Sequence, residues 1–251
     1  MGKKIYLSII YSITAICIVA GIIINVWSVP SLSWKNGFIR GRNYITINDT
    51  LDAFYNLDID VSIANINIFT GDSFAISYKG SQAYRPEYYI YDNTLKVNQS
   101  ANTGHITNAL RNSKSELTIM VPADTSLTNI SCNINAGNCD LSDIKGSDIT
   151  IHADMGNLGL ALCSFNDYNL NVNMGNVDVS QCSFDNMYLN TDMGNISVNL
   201  PHSVTCAYKL DTDLGNINVY GTNHKNSFSD NLTADKVVTA KTSMGNVNIN
   251  N

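Results

Sequence analysis

The sequence lacks the motifs that would mark an enzyme. It contains no G-x-S-x-G nucleophile turn, no glycine-rich phosphate loop and no pair of glutamates. Its six cysteines form no C-x-x-C pair, and their spacing matches no zinc site. These absences predict a protein that is not an enzyme and that uses no cofactor.

Charge is scarce, and negative charge predominates in the second half of the chain. Residues 128–251 contain twelve aspartates, no glutamate, five lysines and no arginine, and the full chain carries a formal charge of −6. An acidic, asparagine-rich surface argues against binding to nucleic acid or adsorption to anionic lipid. It suits a soluble, surface-displayed stalk or a cation-binding one.

No charged residue lies between Lys4 and Lys35. Residues 5–29 are long enough to cross about 30 Å of hydrocarbon as a helix. A cleaved signal peptide is the weaker alternative, because the run is long and no A-x-A site follows it closely. The sequence thus predicts a cytoplasmic tip (1–4), a single transmembrane helix (5–29) whose orientation Lys3 and Lys4 set, a linker (30–56) and an extracellular β domain (57–251).

No segment after residue 30 has a helical period, and a short phrase recurs instead. The phrase is centred on a glycine, and the glycines are separated by 19, 19, 19, 21 and 30 residues. A fixed period of this kind indicates a repeat architecture, with regular coils over 128–251. The copies are NAGNCDL (135–141), ADMGNLGL (153–160), VNMGNVDV (172–179), TDMGNISV (191–198), TDLGNINV (212–219) and TSMGNVNI (242–249).

Each copy alternates apolar and polar residues on both sides of Gly-Asn, but the phase slips there. Tyr168, Leu170, Val172 and Met174 precede Gly175, and the alternation resumes one position late at Val177. A straight strand would then turn its later apolar side chains outward, so the chain is expected to bend at Gly-Asn with the apolar set inside. The predicted corner residues are Gly137, Gly156, Gly175, Gly194, Gly215 and Gly245, followed by Asn138, Asn157, Asn176, Asn195, Asn216 and Asn246.

The repeats predict an all-β, single-domain β-solenoid. Each coil of about 19 residues contains a strand, the Gly-Asn corner, a second strand and a polar turn such as CSFND (163–167). Coils stack by parallel pairing, and the parallel crossover favours a right-handed, β-helix-like path. The insertion at 221–231 is expected to protrude, and the coil around Gly245, as the last, is expected to have an open edge that invites self-association.

Several columns of side chains are candidates for chemistry. The position two before each glycine should face outward, which places Asp192 beside Asp213 and makes Ca²⁺ a natural bridge. A hydrated outer face is the favoured interpretation, and Asp154, Asp192 and Asp213 are only weak calcium candidates. The same stacked aspartates could serve a glycan-active solenoid enzyme, the least favoured reading.

Two further groups of residues each have two interpretations. Cys163 and Cys182 occupy equivalent positions in neighbouring coils, so they are either small apolar members of a column or a disulfide. Tyr88, Tyr89 and Tyr91 form an aromatic patch near Arg85, which suits edge packing or stacking on a sugar or partner.

The passage LTIMVPADTSLTNISCNINAGNCDL (117–141) and the G-N-[VIL]-x-[VIL] repeats that follow an N-terminal anchor resemble a known group of sequences. This is the bacterial putative-adhesin family of β-strand repeats, a domain of unknown function whose membrane-anchored members are encoded beside cell-envelope stress systems. The resemblance covers about residues 55–251 and offers no catalytic motif. It implies an adhesin-like or envelope-stress accessory module that binds a membrane protein or a cell-wall polymer, with a self-assembling scaffold as the alternative.

Overall fold

A computed structural model describes residues 44–100, 115–202 and 204–251, and these residues form an all-β fold. The predicted transmembrane segment at 5–29 lies outside the described residues. Within the described ranges no helix has the length and apolar character needed to cross a membrane. The strands are β1 (Tyr44–Thr50), β2 (Asn56–Ile63), β3 (Asn65–Gly71), β4 (Ala75–Ser81), β5 (Glu87–Tyr91), β6 (Thr94–Gln99), β7 (Glu116–Pro122), β8 (Leu127–Ala136), β9 (Cys139–Ser142), β10 (Gly146–Met155), β11 (Leu158–Ala161), β12 (Asp167–Met174), β13 (Val177–Ser180), β14 (Asn186–Met193), β15 (Ile196–Asn199), β16 (Cys206–Leu214), β17 (Ile217–Val219), β18 (Thr222–His224), β19 (Ser227–Asp230), β20 (Lys236–Met244) and β21 (Val247–Asn250).

The strands form two sheets that together make a solenoid. One sheet has ten strands in the order β19-β16-β20-β14-β12-β10-β8-β2-β6-β5, and the other has eleven in the order β1-β4-β7-β3-β9-β11-β13-β15-β21-β17-β18. Eight strands in the middle of each sheet pair in parallel, so each coil contributes one strand to each sheet. This arrangement confirms the predicted all-β, solenoid-like fold; the right-handed path stays a prediction.

Alternating side chains from both sheets form one continuous apolar core. Inward positions are occupied by Val, Ile, Leu and Cys in the regular coils, with Phe165 and Phe184 at the second corner. Because each strand is half-buried, the sequence alternates with a period of two, as seen in the buried–exposed pattern of β12 and β14. The choice of residues that form the core therefore follows directly from the period-two alternation of each strand.

The coils do not stack in sequence order. The prediction that the coil around Gly245 is the last in the stack and has an open edge is therefore wrong. The last coil in sequence, β20 and β21, lies between the coil of β14 and β15 and the coil of β16 and β17. At the other end, β6 and β7 cover β2 and β3, the first coil in sequence. The coil around Gly245 therefore has neighbours on both sides and no open edge.

Antiparallel strands cover both ends of the solenoid. At one end β5 pairs with β6 while β4 and β1 extend the sheet beyond β7. At the other end β19 pairs with β16 and β18 pairs with β17. Residues 221–231, which were expected to protrude, supply β18 and β19. The edges of β16 and β17 would otherwise be unpaired, and the chain segment that follows them is the nearest one that can pair with them.

Candidate binding surface

The corner glycines form a column in which backbone contacts backbone. A Cβ atom added at Gly175 would lie 1.9 Å from the carbonyl oxygen of Gly156, and one at Gly194 would lie 1.8 Å from that of Gly175. The φ angles at these two residues are +149° and +154°, a region that favours glycine. Gly215 has no such φ, but its Cβ would lie 1.8 Å from the Gly245 oxygen. Close approach of neighbouring coils, common to all six corners, is thus the more general reason for glycine.

The asparagines that follow the glycines form a hydrogen-bonded ladder. The side-chain Oδ1 of Asn157 accepts a hydrogen bond of 2.9 Å from the backbone N–H of Asn176, and Asn176 does the same for Asn195. The ladder runs from Asn65 through Asn138, Asn157, Asn176, Asn195 and Asn246 to Asn216. Each asparagine therefore satisfies a corner N–H of the next coil, which is a structural role.

The methionines that precede the corner glycines point outward, which corrects the prediction that placed Met174 with the inward set. Met174 is 43% exposed, and Met155 and Met193 are similar. The wide corner turns the residues between the last inward residue of one strand (Val172) and the first of the next (Val177) away from the core. The alternation of the strands therefore does not continue up to the glycine.

The aspartates two positions before the glycines alternate with neutral residues. Because β20 lies between β14 and β16, Ser243 separates Asp192 from Asp213. Asn173 likewise separates Asp154 from Asp192, and its Nδ2 donates a 2.9 Å hydrogen bond to Asp154 Oδ1. The predicted Asp192–Asp213 neighbour pair does not exist, and with it the argument for a bridging calcium ion fails. Among the described residues no group of three or more His, Cys, Asp or Glu could hold a metal.

The cysteines of the solenoid are buried free thiols. Cys163 and Cys182 each donate a 3.4 Å hydrogen bond to a carbonyl oxygen, that of Ala161 and that of Ser180. A hydrogen bond with Cys182, together with burial, raises the pKa of Cys163. The same hydrogen bond lowers the pKa of Cys182. Both side chains are buried and unbridged, so the pair fills a core column.

The tyrosine patch lies at the capped end formed by β5. Tyr88 is half-buried and its hydroxyl donates a hydrogen bond to Asp49 on β1. Burial and this hydrogen bond raise the pKa of Tyr88 to about 12. Tyr89 and Tyr91, by contrast, are 59% and 70% exposed. Beside Tyr88 a cavity of about 620 Å³ is lined by Gln82, Arg85, Pro86 and Glu87.

The outer face of the ten-stranded sheet brings Tyr89 into one row with a tyrosine that the sequence analysis did not single out. The row crosses all ten strands, and this second tyrosine is Tyr188 on β14, which is 44% exposed. The row runs Tyr89, Lys96, Asp58, Ser131, Thr150, Asn169, Tyr188, Thr239, Lys209 and Ser229.

Polar side chains, among them Lys96 and Asp58 beside Tyr89, occupy the space between the two tyrosines. Six strand spacings separate Tyr89 from Tyr188, or about 29 Å at about 4.8 Å per strand. Ser131, Thr150 and Asn169 lie between them, and the flanking rows contribute asparagines and aspartates. We call this region, from Tyr89 to Tyr188 with its two flanking rows, the polar face. The parity of Met187, Tyr188 and Leu189 indicates that Tyr188 points outward, but only the strand order reveals that it shares a row with Tyr89.

Comparison with known proteins identifies the class to which this solenoid belongs. Residues 54–250 match the family model described as Toastrack DUF4097, a domain of unknown function. The chain therefore belongs to the Toastrack DUF4097 family, in agreement with the resemblance seen in the sequence.

Two solved structures resemble this chain at low sequence identity, and the first of them shares its fold. A "putative cell adhesion protein" from Clostridium sporogenes superposes with a TM-score of 0.55 at 18% identity, covering 82% of this chain and 99% of the other. A "putative adhesin" from Bacteroides fragilis gives a TM-score of 0.48 at 15% identity, covering 82% and 96%. No curated protein matches the chain significantly. These likenesses concern the fold alone.

Proposed function

We propose that the chain is a non-enzymatic, membrane-anchored surface protein whose solenoid acts as an adhesin-like binding module or as an accessory of a cell-envelope stress system. The observation that carries the proposal is the polar face: a broad, exposed surface with tyrosines at both ends, held on a rigid parallel sheet. Binding residues placed on a rigid scaffold lose little conformational entropy when a partner binds.

The charge-free segment at 5–29 supplies the membrane anchor in this proposal. It would hold the solenoid at the cell surface with the C-terminal domain outside. The description of the Clostridium sporogenes structure as a "putative cell adhesion protein" agrees with surface binding. The partner is then either a cell-wall polymer or a membrane protein.

Two features of the repeated polar columns favour a binding role over a catalytic one. The corner asparagines are committed to backbone N–H groups, and the column aspartates are separated from one another. The enzyme alternative rests on Asp192 and Asp213 as stacked neighbours, and Ser243 on β20 lies between them.

The test is a capture experiment with the full chain in lipid nanodiscs, offered purified cell-wall sacculi in one arm and detergent-solubilised envelope proteins in the other, with and without Ca²⁺. Binding to sacculi supports the adhesin-like role, and capture of a membrane sensor or regulator supports the accessory role. Release of soluble fragments from the sacculi, lost on Asp192→Asn or Asp213→Asn substitution, would contradict the non-enzymatic proposal.

A further inference from the structure

We infer that the polar face is a binding site for an uncharged, extended glycan that crosses the strands between Tyr89 and Tyr188. This inference rests on the proposed function and specifies the ligand class of its surface. The position of the two rings is the first argument. Both project from one outer face, and we call the side chains of the polar face that lie between them the floor. Lys96 is the one long side chain of the central row, and it lies 4.0 Å from the Asp58 carboxylate. An extended ligand can therefore contact the floor and both rings at once.

The floor presents polar side chains that are not hydrogen-bonded to any other described residue. Asn129, Asn133, Asn190 and Thr150 are exposed or half-exposed on this face, and within the described residues their side chains make no hydrogen bond or ion pair. Each amide presents two donors and one acceptor oxygen. Sugar hydroxyls both donate and accept, so they match this inventory, whereas a purely donating or purely accepting ligand would not.

The charge of the floor determines which glycans fit. Between the tyrosines the face carries Asp58, Asp60, Asp148 and Asp167 against Lys96. A polymer rich in phosphate or carboxylate would be repelled. The same face of a second copy would be repelled for the same reason, and a lipid surface would find too little apolar area between the rings. Of these ligand classes, only an uncharged, polyhydroxylated chain fits the charge and polarity of the face.

The tyrosines suit the apolar C–H face of a sugar ring. Tyrosine presents a large, rigid contact area and keeps its hydroxyl in water. Because six strand spacings, or about 29 Å, separate the strands that carry the two tyrosines, a disaccharide can contact only one ring, whereas a longer oligosaccharide can contact both. Affinity should therefore rise with chain length until both rings are reached and then stay constant.

The test measures binding of uncharged linear oligosaccharides, two to eight sugars long, to the full chain in nanodiscs by titration calorimetry. The probes are the β-linked N-acetylglucosamine and glucose series, with polygalacturonate as the anionic comparison. For the longest probes, Tyr89→Ala and Tyr188→Ala should each weaken the affinity roughly tenfold and remove the dependence on length. Tyr188→Phe should retain most of the affinity because it keeps the ring.

Phe69→Ala is the matched control, since Phe69 is an exposed aromatic residue on the other sheet. It should leave every affinity unchanged. Absence of binding to both neutral series, tighter binding of polygalacturonate, or affinities that neither tyrosine variant changes would each overturn the inference.

The capture experiment separates this inference from the proposed function. If the chain binds sacculi or an envelope protein but none of the neutral oligosaccharides, the glycan inference fails and the surface-binding role stands. If it binds neither the oligosaccharides nor any envelope material, both fail.

Discussion

At the scale of single residues, the Gly-Asn pair performs two separate tasks at each corner. Glycine permits one coil to approach the carbonyl oxygen of its neighbour, and asparagine accepts a hydrogen bond from the neighbour's backbone N–H. Neither task involves a ligand. The repeated phrase that dominates the sequence is therefore a signature of stacking, and function has to be sought in the residues that vary between coils.

Gly175→Ala tests the close approach. The added Cβ would lie 1.9 Å from the Gly156 oxygen, so the two coils would have to separate. We expect the free energy of unfolding to fall by more than about 3 kcal/mol, measured by denaturant titration. Gly71→Ala, where the nearest atoms belong to the flexible Met120 side chain at 3.3 Å, is the control and should change stability much less. Equal stability of the two variants would remove the corner argument.

Asn176→Ala tests the ladder. The substitution leaves the N–H of Asn195 without its 2.9 Å acceptor, and it keeps the backbone otherwise unchanged. A loss of about 1 kcal/mol is expected, because the lost hydrogen bond is exposed and water can partly replace the acceptor. Asn133→Ala on the polar face removes an exposed amide without a protein partner and should be nearly neutral for folding. If both variants melt at the same temperature, the ladder contributes nothing to stability.

Leu162 is strained and its replacement should stabilise the protein. Its φ is +57°, a left-handed conformation, and its side chain is 61% exposed, so little packing would be lost. Leu162→Asn should raise the free energy of unfolding by about 1 kcal/mol, because asparagine tolerates this conformation. Leu232→Asn, equally exposed and without a positive φ, should have no such effect. A drop in melting temperature for Leu162→Asn would contradict the strain.

At the scale of elements, the coil of β20 and β21 joins two parts of the solenoid that are earlier in sequence. It pairs on one side with β14 and β15 and on the other with β16 and β17. The stability of β16 and β17 therefore depends on residues that follow them in the chain. In a solenoid stacked in sequence order, β16 would pair directly with β14 and would not depend on the last coil in this way.

Val247→Asn tests this dependence, since Val247 is fully buried and pairs with both Ile196 and Ile217. Burying an amide there should weaken the inserted coil. Backbone hydrogen exchange should then accelerate over 206–219 as well as 236–250, while protection over 127–142 stays intact. Acceleration confined to 236–250 would show that β16 and β17 do not need the inserted coil.

At the scale of the whole molecule, both ends of the solenoid are covered by antiparallel strands from the same chain. Exposed edges of a parallel stack are templates for pairing with another copy. Because β18 and β19 occupy the edges of β17 and β16, and β1 and β5 close the other end, end-to-end assembly is disfavoured. This observation weighs against the scaffold alternative, whose premise was an open final coil.

Disrupting the cap should promote self-association. Asn223→Pro combined with Ser229→Pro removes a backbone donor from each capping strand and is incompatible with regular pairing. In detergent micelles, sedimentation of this variant should become concentration-dependent, while the native chain and a Leu232→Pro control, outside the strands, sediment unchanged. Concentration-dependent association of the native chain would instead revive the scaffold.

The sequence by itself determined the local architecture. The period of two within each strand and the break at Gly-Asn depend on neighbours a few residues apart, so the strands, the corners and the solenoid class could be predicted from them. The outward turn of Met174 was missed because alternation says nothing about the width of a corner.

Only the tertiary structure decided which coils are neighbours. All the coils present nearly the same pairing edge, so the sequence contains no local preference for β20 to lie beside β14 rather than beyond β16. That choice depends on how the chain covers both ends of the stack. It separates Asp192 from Asp213, while the strand order across the sheet brings Tyr89 and Tyr188 into one row. The candidate site is thus a property of strand order, which periodic sequence patterns do not encode.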